Sequence, residues 1–152
     1  MSDLTYRDAT SADLPFVVKL IHDDTVGPSD DDPANANGPD YERALAAISA
    51  DPNQEMFIVE HDAEPVGIFQ LTYIPGIARK GQWRGLVEAV HIVPEQRNKG
   101  FGKAMMRWAM ERCRERGCGM VQLTSNKKRL DAHRFYRTLG FAQSHEGFKY
   151  PL

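Results

Sequence analysis

Cysteine is scarce in this chain of 152 residues. Only Cys113 and Cys118 occur, too few for a disulfide scaffold, and no His, Cys and Asp cluster has the spacing of a zinc site, so no metal is expected. Long apolar runs are missing too. No stretch approaches the roughly 20 consecutive apolar residues of a membrane-spanning helix, which excludes such a helix. The opening residues Met1 to Arg7 lack a basic segment followed by an apolar run, so secretion is not expected. Two lone cysteines fit a reducing cytoplasm. Repeats, low-complexity tracts and a sign of a second domain are all missing, and the length suits a single domain over 1–152. An excess of one charge is missing overall: 19 Lys and Arg stand against 21 Asp and Glu, for a net charge of −2. With fourteen aromatic residues spread along the chain, disorder is excluded as well.

That near-neutrality hides a division. Residues 1–64 carry −12, whereas residues 97–137 carry +9. Such asymmetry speaks of partners more than of fold. The basic part should attract a polyanion and the acidic part repel one. A protein that coats nucleic acid is more often basic throughout, so no nucleic-acid partner is expected.

The pattern of apolar residues predicts a first strand at 5–9. A helix follows from Ser11, with an early Pro15 and an apolar stripe of Leu14, Val17, Val18 and Ile21. Residues 26–40 are rich in Gly, Pro, Asp and Asn and form a long loop, of a length that is usually functional or disordered. A second helix at about 40–50 turns Ala44, Leu45 and Ile48 inward. The period then changes to two. Strands at 56–60 and 65–74 form a hairpin around His61 to Glu64, and a long strand runs from Trp83 to Val93. A helix from Phe101 to about Arg116 follows, with Ala104, Met105, Trp108, Ala109 and Cys113 on one face. Gly117 closes it. A strand at 120–124, a short helix at 131–139 capped by Asp131, and a last strand pair or bent strand at 141–150 complete the chain. A hairpin run joined to alternating units predicts the α+β class, with a mixed, mostly antiparallel central sheet flanked by helices.

Between the long strand and the amphipathic helix lies Arg97-Asn98-Lys99-Gly100-Phe101-Gly102-Lys103. The two glycines permit close backbone approach and positive φ, and the helix start offers free N–H groups beside three basic side chains. These are the ingredients of a phosphate cradle, or of a plain strand-to-helix turn with solvated charges. Neither a P-loop nor a Rossmann turn is present.

The spacing Arg97-x-x-Gly100-x-Gly102 resembles the R/Q-x-x-G-x-G/A loop of the GNAT acetyltransferases. Ala132-His133-Arg134-Phe135-Tyr136-Arg137-Thr138-Leu139-Gly140-Phe141 is similar to that family's A-x-x-x-Y-x-x-x-G-F element. Phe57-Ile58-Val59-Glu60 through Pro65-Val66-Gly67 is similar to its hairpin. The three come in the family's order over nearly the whole chain. The segment 122–136, with the later Ser144-His145, also resembles the bacterial aminoalkylphosphonate N-acetyltransferases. The resemblance implies a GNAT fold and direct acetyl transfer from acetyl-CoA to an amine, most simply that of a small molecule. It implies a cofactor loop of Arg97, Asn98, Lys99, Gly100, Phe101, Gly102 and Lys103. It also implies backbone contacts to the pantetheine arm from His91, Ile92 and Val93. Many family members have a cofactor-binding Asn three residues before the position of Ala132. Here that position is Arg129 and the nearest Asn is Asn126, so both are candidates.

Acetyl transfer needs a base for an amine that is protonated at neutral pH, a donor for the developing oxyanion, and an acid for the departing thiolate. The resemblance places Tyr136 as that acid, near the thioester sulfur and in the cofactor's reach, against the alternative that it packs with Phe135 and Leu139. Glu88 is the candidate base. It interrupts the apolar run Leu86-Val87-Glu88-Ala89-Val90, where a buried carboxylate is costly without a partner or a task. Burial would raise its pKa into a useful range. A salt bridge, to Arg84 for one, is the alternative. Strand alternation puts His91 on the opposite face from Glu88, unless a bulge of the kind the family has in this strand intervenes. His91 is then a proton relay, or else an edge or core histidine. His133 and His145 read as structural, and most of Arg107, Arg112, Arg114 and Arg116 as a solvated face.

The triplet Asp30, Asp31 and Asp32 within the acidic part predicts a cationic amine as acceptor. The phosphonate resemblance points instead to an anionic one, held by Arg79, Lys80 and Arg84. A protein N-terminus or lysine as acceptor, a non-catalytic acetyl-CoA-binding regulatory module, and a homodimer stay open.

Overall fold

The computed structural model describes residues 3–152. They fall into two compact units, residues up to Gln122 and residues 123–152. The first unit is built on an open sheet of five strands in the order β1-β2-β3-β4-β5: β1 Leu4–Asp8, β2 Gln54–His61, β3 Glu64–Ile74, β4 Trp83–Ile92 and β5 Cys118–Gln122. The first four pair antiparallel and β5 joins β4 in parallel. This is the α+β arrangement, mixed and mostly antiparallel, that the sequence predicts. The hairpin turn is tight because Asp62 and Ala63 both take positive φ, 51° and 64°, between the paired residues His61 and Glu64. That handedness matches the twist of the two strands.

Helices α1 (Leu14–Asp23) and α2 (Pro39–Ala50) precede β2, and α4 (Phe101–Glu115) joins β4 to β5. A four-residue helical turn, α3 (Ala78–Gly81), lies between β3 and β4, with Arg79 and Lys80 at φ of 55° and 61°. Alternation along the strands makes two cores. On one face Met56, Ile58 and Ile68 meet Leu14, Val17, Leu20 and Leu45 of α1 and α2. On the other, Phe57, Phe69, Leu71 and Val87 lie buried with Met105, Met106 and Cys113 of α4. Trp108 of α4 stacks on Tyr6 at 4.2 Å and meets Phe57 and Phe69 edge-on. Burial there pushes the Tyr6 hydroxyl pKa up to about 12. Gly85 fits because α4 lies hard against β4: a side chain there would run into Cys113 Sγ.

Two ionic clamps fix these layers. Arg7 on β1 donates through Nε to Glu60 at 2.6 Å and through both terminal nitrogens to Asp13, at 2.8 and 2.9 Å. Asp13 also accepts from the Thr10 N–H, closing a capping box before α1. On the other face Glu55 of β2 accepts Arg112 of α4 at 2.5 and 3.1 Å, and the Tyr73 hydroxyl. Arg116 lies 4.0 Å over the Tyr73 ring and donates to the Pro52 carbonyl at 2.6 Å. Half of the helix arginines are therefore structural, not solvated as the sequence pattern implies.

The second unit, 123–152, holds α5 (Leu130–Thr138) and no strand. The strand expected at 141–150 is not formed. Its polar stretch Gln143-Ser144-His145-Glu146-Gly147 has little to bury, and Phe148 and Tyr150 are 94% and 87% exposed. Asp131 lies inside the first turn of α5, and Arg129 holds the capping position given to Asp131 above. Strand β5 starts two residues earlier than its pattern suggests.

Burial raises the Glu55 pKa, but the hydrogen bonds from Arg112 and Tyr73 outweigh it and hold the carboxyl below its ordinary value. A depressed pKa contributes stability that is complete above the unfolded-state value and fades as pH falls through the folded one. Glu55→Gln should therefore cost about 2 kcal/mol at neutral pH, and the gap to the parent should close as pH falls below about 4. Urea denaturation of both proteins across pH 3–7 measures it.

Candidate active site

Pairing between β4 and β5 ends at Leu86 and Gln122. From Val87 to Ile92 the β4 edge has no strand paired on that side among the described residues, and the Ile92 carbonyl at its end accepts Arg97 Nε. The same stretch holds a β-bulge. Ala89 takes φ 50°, and the register passes from Gln70 opposite Glu88 to Ile68 opposite His91. Three residues of β4 thus span two of β3. Without the bulge Glu88 and His91 would point to opposite faces; with it they share the face that carries α1 and α2.

On that face lies an apolar cavity of about 140 Å³, lined among others by Leu14, Tyr41, Leu45, Met56, Gln70 and Ala89. Tyr41 ties the 26–40 loop to its wall. Its hydroxyl donates to Asp31 at 3.1 Å and accepts the Asp32 N–H at 2.8 Å. Asp32 in turn caps the short helical turn at Pro33–Asn35.

Glu88 is exposed and has no ion pair or side-chain hydrogen bond among the described residues. Neither the burial expected for it nor the bridge to Arg84 is found. Glu88 lies just before the bulge, opposite Gln70, with its carboxylate exposed to water and so without a desolvation cost. His91 is 10% exposed, and its Nδ1 lies 2.7 Å from Asp24 Oδ2, at the C-terminal cap of α1. Asp24 went unnoticed in the sequence, being one carboxylate among fifteen with its partner 67 residues away.

After β4 the chain passes a short helical turn, Pro94–Gln96, and reaches the glycine loop. Asn98 and Gly100 both have positive φ, 62° and 83°, and Gly100 occupies the N-cap of α4 with no side chain capping it. The first amides of α4, from Phe101, Gly102 and Lys103, have no carbonyl within the helix to bond. A Cβ built on Gly100 would meet nothing within 4 Å, so the cradle is open. Arg97 folds back over the strand end, with Nε on the Ile92 carbonyl at 3.1 Å and Nη2 3.4 Å from Asp24 Oδ1. Lys99 reaches Gln96, and Lys103 is exposed. An open row of N–H groups, flanked by cations and free of a protein anion, fits a pyrophosphate.

The second unit arranges the remaining candidates around α5. The Asn126 side chain accepts the Lys128 N–H at 2.9 Å, and its carbonyl accepts His133 Nε2 at 2.8 Å and the Arg129 N–H at 3.0 Å. Asn126 and His133 thus build the turn that leads into α5. Tyr136 lies between Phe135 and Phe141, with centroids 5.3 and 5.9 Å away.

The model of the acetyltransferase (GNAT) family matches residues 17–141. The chain belongs to the GNAT acetyltransferase family. This GNAT protein is 32% identical to an aminoalkylphosphonate N-acetyltransferase of Salmonella typhimurium, over 71% of this chain and 70% of that one. It is 31% identical to a glucosamine 6-phosphate N-acetyltransferase of Trypanosoma brucei, over 95% and 92%. A crystal structure described as a transcriptional regulator from Bacillus halodurans superposes with a TM-score of 0.92, at 38% identity over 98% and 99% of the two chains. The GNAT protein is accordingly an N-acetyltransferase that draws its acetyl group from acetyl-CoA and transfers it to an amine. No helix among the described residues is long and apolar enough to cross a membrane.

The glycine loop yields a direct test. Gly100→Asp sets a carboxylate beside the open amides and should weaken acetyl-CoA binding by at least about tenfold, as a charge-assisted hydrogen bond is lost and a repulsion gained. Gly100→Asn has the same shape and tolerates left-handed backbone, so it should lose clearly less. Calorimetric titration of the two variants separates charge from backbone strain.

Proposed function

We propose that the chain acetylates a small amine that also carries a phosphonate or phosphate group, in one cytoplasmic domain over 1–152. The observation that carries this reading is the placement of cations on the acceptor face. Arg84 lies opposite Ile74 and Glu88 opposite Gln70, so the two point to the same side of β4. About 13 Å of strand separates them, a gap the long Arg84 side chain shortens. Arg79 and Lys80, both exposed, stand in the turn just before. The acidic loop supports a cationic acceptor less well, since Asp31 and Asp32 hold Tyr41 and the loop's own helical turn. The names of two relatives, an aminoalkylphosphonate and a glucosamine 6-phosphate N-acetyltransferase, agree with an anionic acceptor.

In this reading the cosubstrate, acetyl-CoA, supplies an activated acetyl group. Arg97, Lys99, Lys103 and the amides of Phe101 and Gly102 hold its phosphates, with Asn98 and Gly100 shaping the turn. The open edge at His91, Ile92 and Val93 aligns its arm, and Asn126 or Arg129 adds a contact. Glu88 attracts the incoming ammonium and takes its proton through water, which leaves a nucleophilic amine. Tyr136 gives its hydroxyl proton to the departing sulfur.

Tyr136→Phe should lower kcat by about 100-fold, the scale of a lost general acid, and leave the acetyl-CoA dissociation constant within about threefold. Stopped-time acetylation assays with parallel calorimetry measure both; an unchanged kcat returns Tyr136 to packing. The acceptor class is tested by kcat/KM for aminoethylphosphonate against a diamine. The phosphonate should be preferred, and Arg84→Gln should remove at least about tenfold of that preference, the loss of a charge-assisted contact. A diamine preference that fades when Asp30 to Asp32 become Asn would overturn it.

A further inference from the structure

The bulge at Ala89 brings a second titratable side chain to the face of Glu88. His91 is nine-tenths buried, and its Nδ1 stands 2.7 Å from Asp24 Oδ2. A carboxylate only accepts, so Nδ1 bears the proton and Nε2 presents its lone pair. Nε2 has no partner among the described residues and is not sealed from solvent. An imidazole fixed in one tautomer by a carboxylate, with its other nitrogen turned to water, is prepared to accept a proton.

We propose that His91 and Asp24 form a proton relay for the acetyl transfer, with His91 the proton acceptor behind Glu88 and Asp24 its positioning residue. The inference rests on the transferase reading above. The proton that Glu88 takes from the acceptor ammonium passes through water to His91 Nε2. The freed amine forms the new C–N bond as the thioester C–S bond breaks, and the sulfur leaves with the Tyr136 proton. The second proton shed by the nitrogen restores Tyr136 through solvent. His91 becomes imidazolium with Nδ1–H still bonded to Asp24, which stays ionised and stabilises the new charge. Nε2–H then returns its proton to solvent, and the dyad is restored without net change.

The surroundings of His91 in the first unit favour this role. From β3 it meets the uncharged Ile68. On its own strand the nearest charge on the same face is Glu88. From the loop, Arg97 Nη2 lies 3.4 Å from the other Asp24 oxygen, which orients that carboxylate. In the last turns of α1 the charged groups are engaged with one another: Lys19 with Asp23, and His22 with Asp23 at 3.0 Å, with Glu95 near Lys19. Asp24 is thus the anion that faces His91. Because Asp24 also holds Arg97, a purely structural role for it predicts a change in acetyl-CoA affinity alone.

The test uses the full chain with acetyl-CoA and aminoethylphosphonate, and compares parent, His91→Ala, His91→Gln and Asp24→Asn. His91→Gln retains a donor for Asp24 and guards against a variant that fails to fold. Both His91 variants should lose about 100-fold in kcat, the scale of a lost acid–base group, with acetyl-CoA affinity by calorimetry within about threefold. Added imidazole should restore His91→Ala at least about fivefold, and His91→Gln, whose side chain fills the space, much less. Asp24→Asn should lower kcat about tenfold with no rescue by imidazole, while Asp24→Glu recovers part of it. The relay is overturned if the parent turns over and the His91 variants match it within threefold. It is equally overturned if imidazole leaves His91→Ala unchanged, or if Asp24→Asn alters only acetyl-CoA affinity. A parent that binds acetyl-CoA yet acetylates no amine removes the transferase reading, and the relay with it.

Discussion

Ala89 holds a left-handed backbone, φ 50°, in the middle of the long strand β4, a conformation that costs an L-residue roughly 1–2 kcal/mol. Such strain persists only where the surroundings enforce it. Here the enforcing elements are the ladder to β3 on either side of the bulge, the pairing of β5 up to Leu86, and the packing of α4 over Gly85 and Val87. In return the strand turns two successive functional groups to one side. Regular alternation would send His91 toward α4 and away from Asp24. The end of the β5 pairing, the shared face of Glu88 and His91, and the approach to the glycine loop all lie within a few residues of this one distortion.

Around that strand the frame is held by ion pairs that join the acidic part of the sequence to the basic part. Glu55 meets Arg112, and Asp24 meets Arg97 and His91. Arg7, one of three basic residues in the first 64, closes on Asp13 and Glu60. All but the exposed Asp24–Arg97 contact are partly buried and use hydrogen-bond geometry, which makes them worth more than exposed surface pairs. Two of these pairs, Glu55–Arg112 and Asp24–Arg97, neutralise a small part of the charge division seen in the sequence. Asp24 is the exception in kind: it meets both Arg97 of the glycine loop and His91 of β4.

The parts of this arrangement that rest on local chemistry were legible in the sequence. The loop with Gly100 and Gly102 shows itself because only a few residues suit a positive φ at a helix start, and the hairpin because its period is two. The order of elements and the mixed sheet followed from them. What stayed hidden depends on residues far apart or on a rule broken. Ala89 carries no mark of a bulge, since alanine is neither the glycine nor the asparagine that usually adopts that conformation. Glu88 in an apolar run reads as buried, yet its carboxylate is exposed on the face opposite α4. Arg112 and Arg116 read as solvated because their partners sit on β2 and β3. The segment 141–150 has aromatics at both ends that suggest a strand, yet its polar middle, 143–147, gives a strand little to bury.

The same reasoning limits what the acidic part can do for an acceptor. Charges act through water over about 8 Å at physiological salt, so a distant surplus of carboxylates steers weakly. Asp31 and Asp32 are engaged with Tyr41, Ala34 and Asn35, which orders the loop and fixes the cavity wall but lowers the field they offer outward. The groups that select an acceptor must then be those a bound molecule touches. In the proposed reading these are, along β4, Arg84 and Glu88, of opposite sign on one face, with the apolar cavity beside Ala89 between sheet and helices. A molecule with an anionic end, a short spacer and an amine satisfies both charges at once, whereas a diamine would leave Arg84 facing a cation. Like charges set together cost more than a missing attraction, and that penalty discriminates between acceptors more sharply than the net charge of the chain.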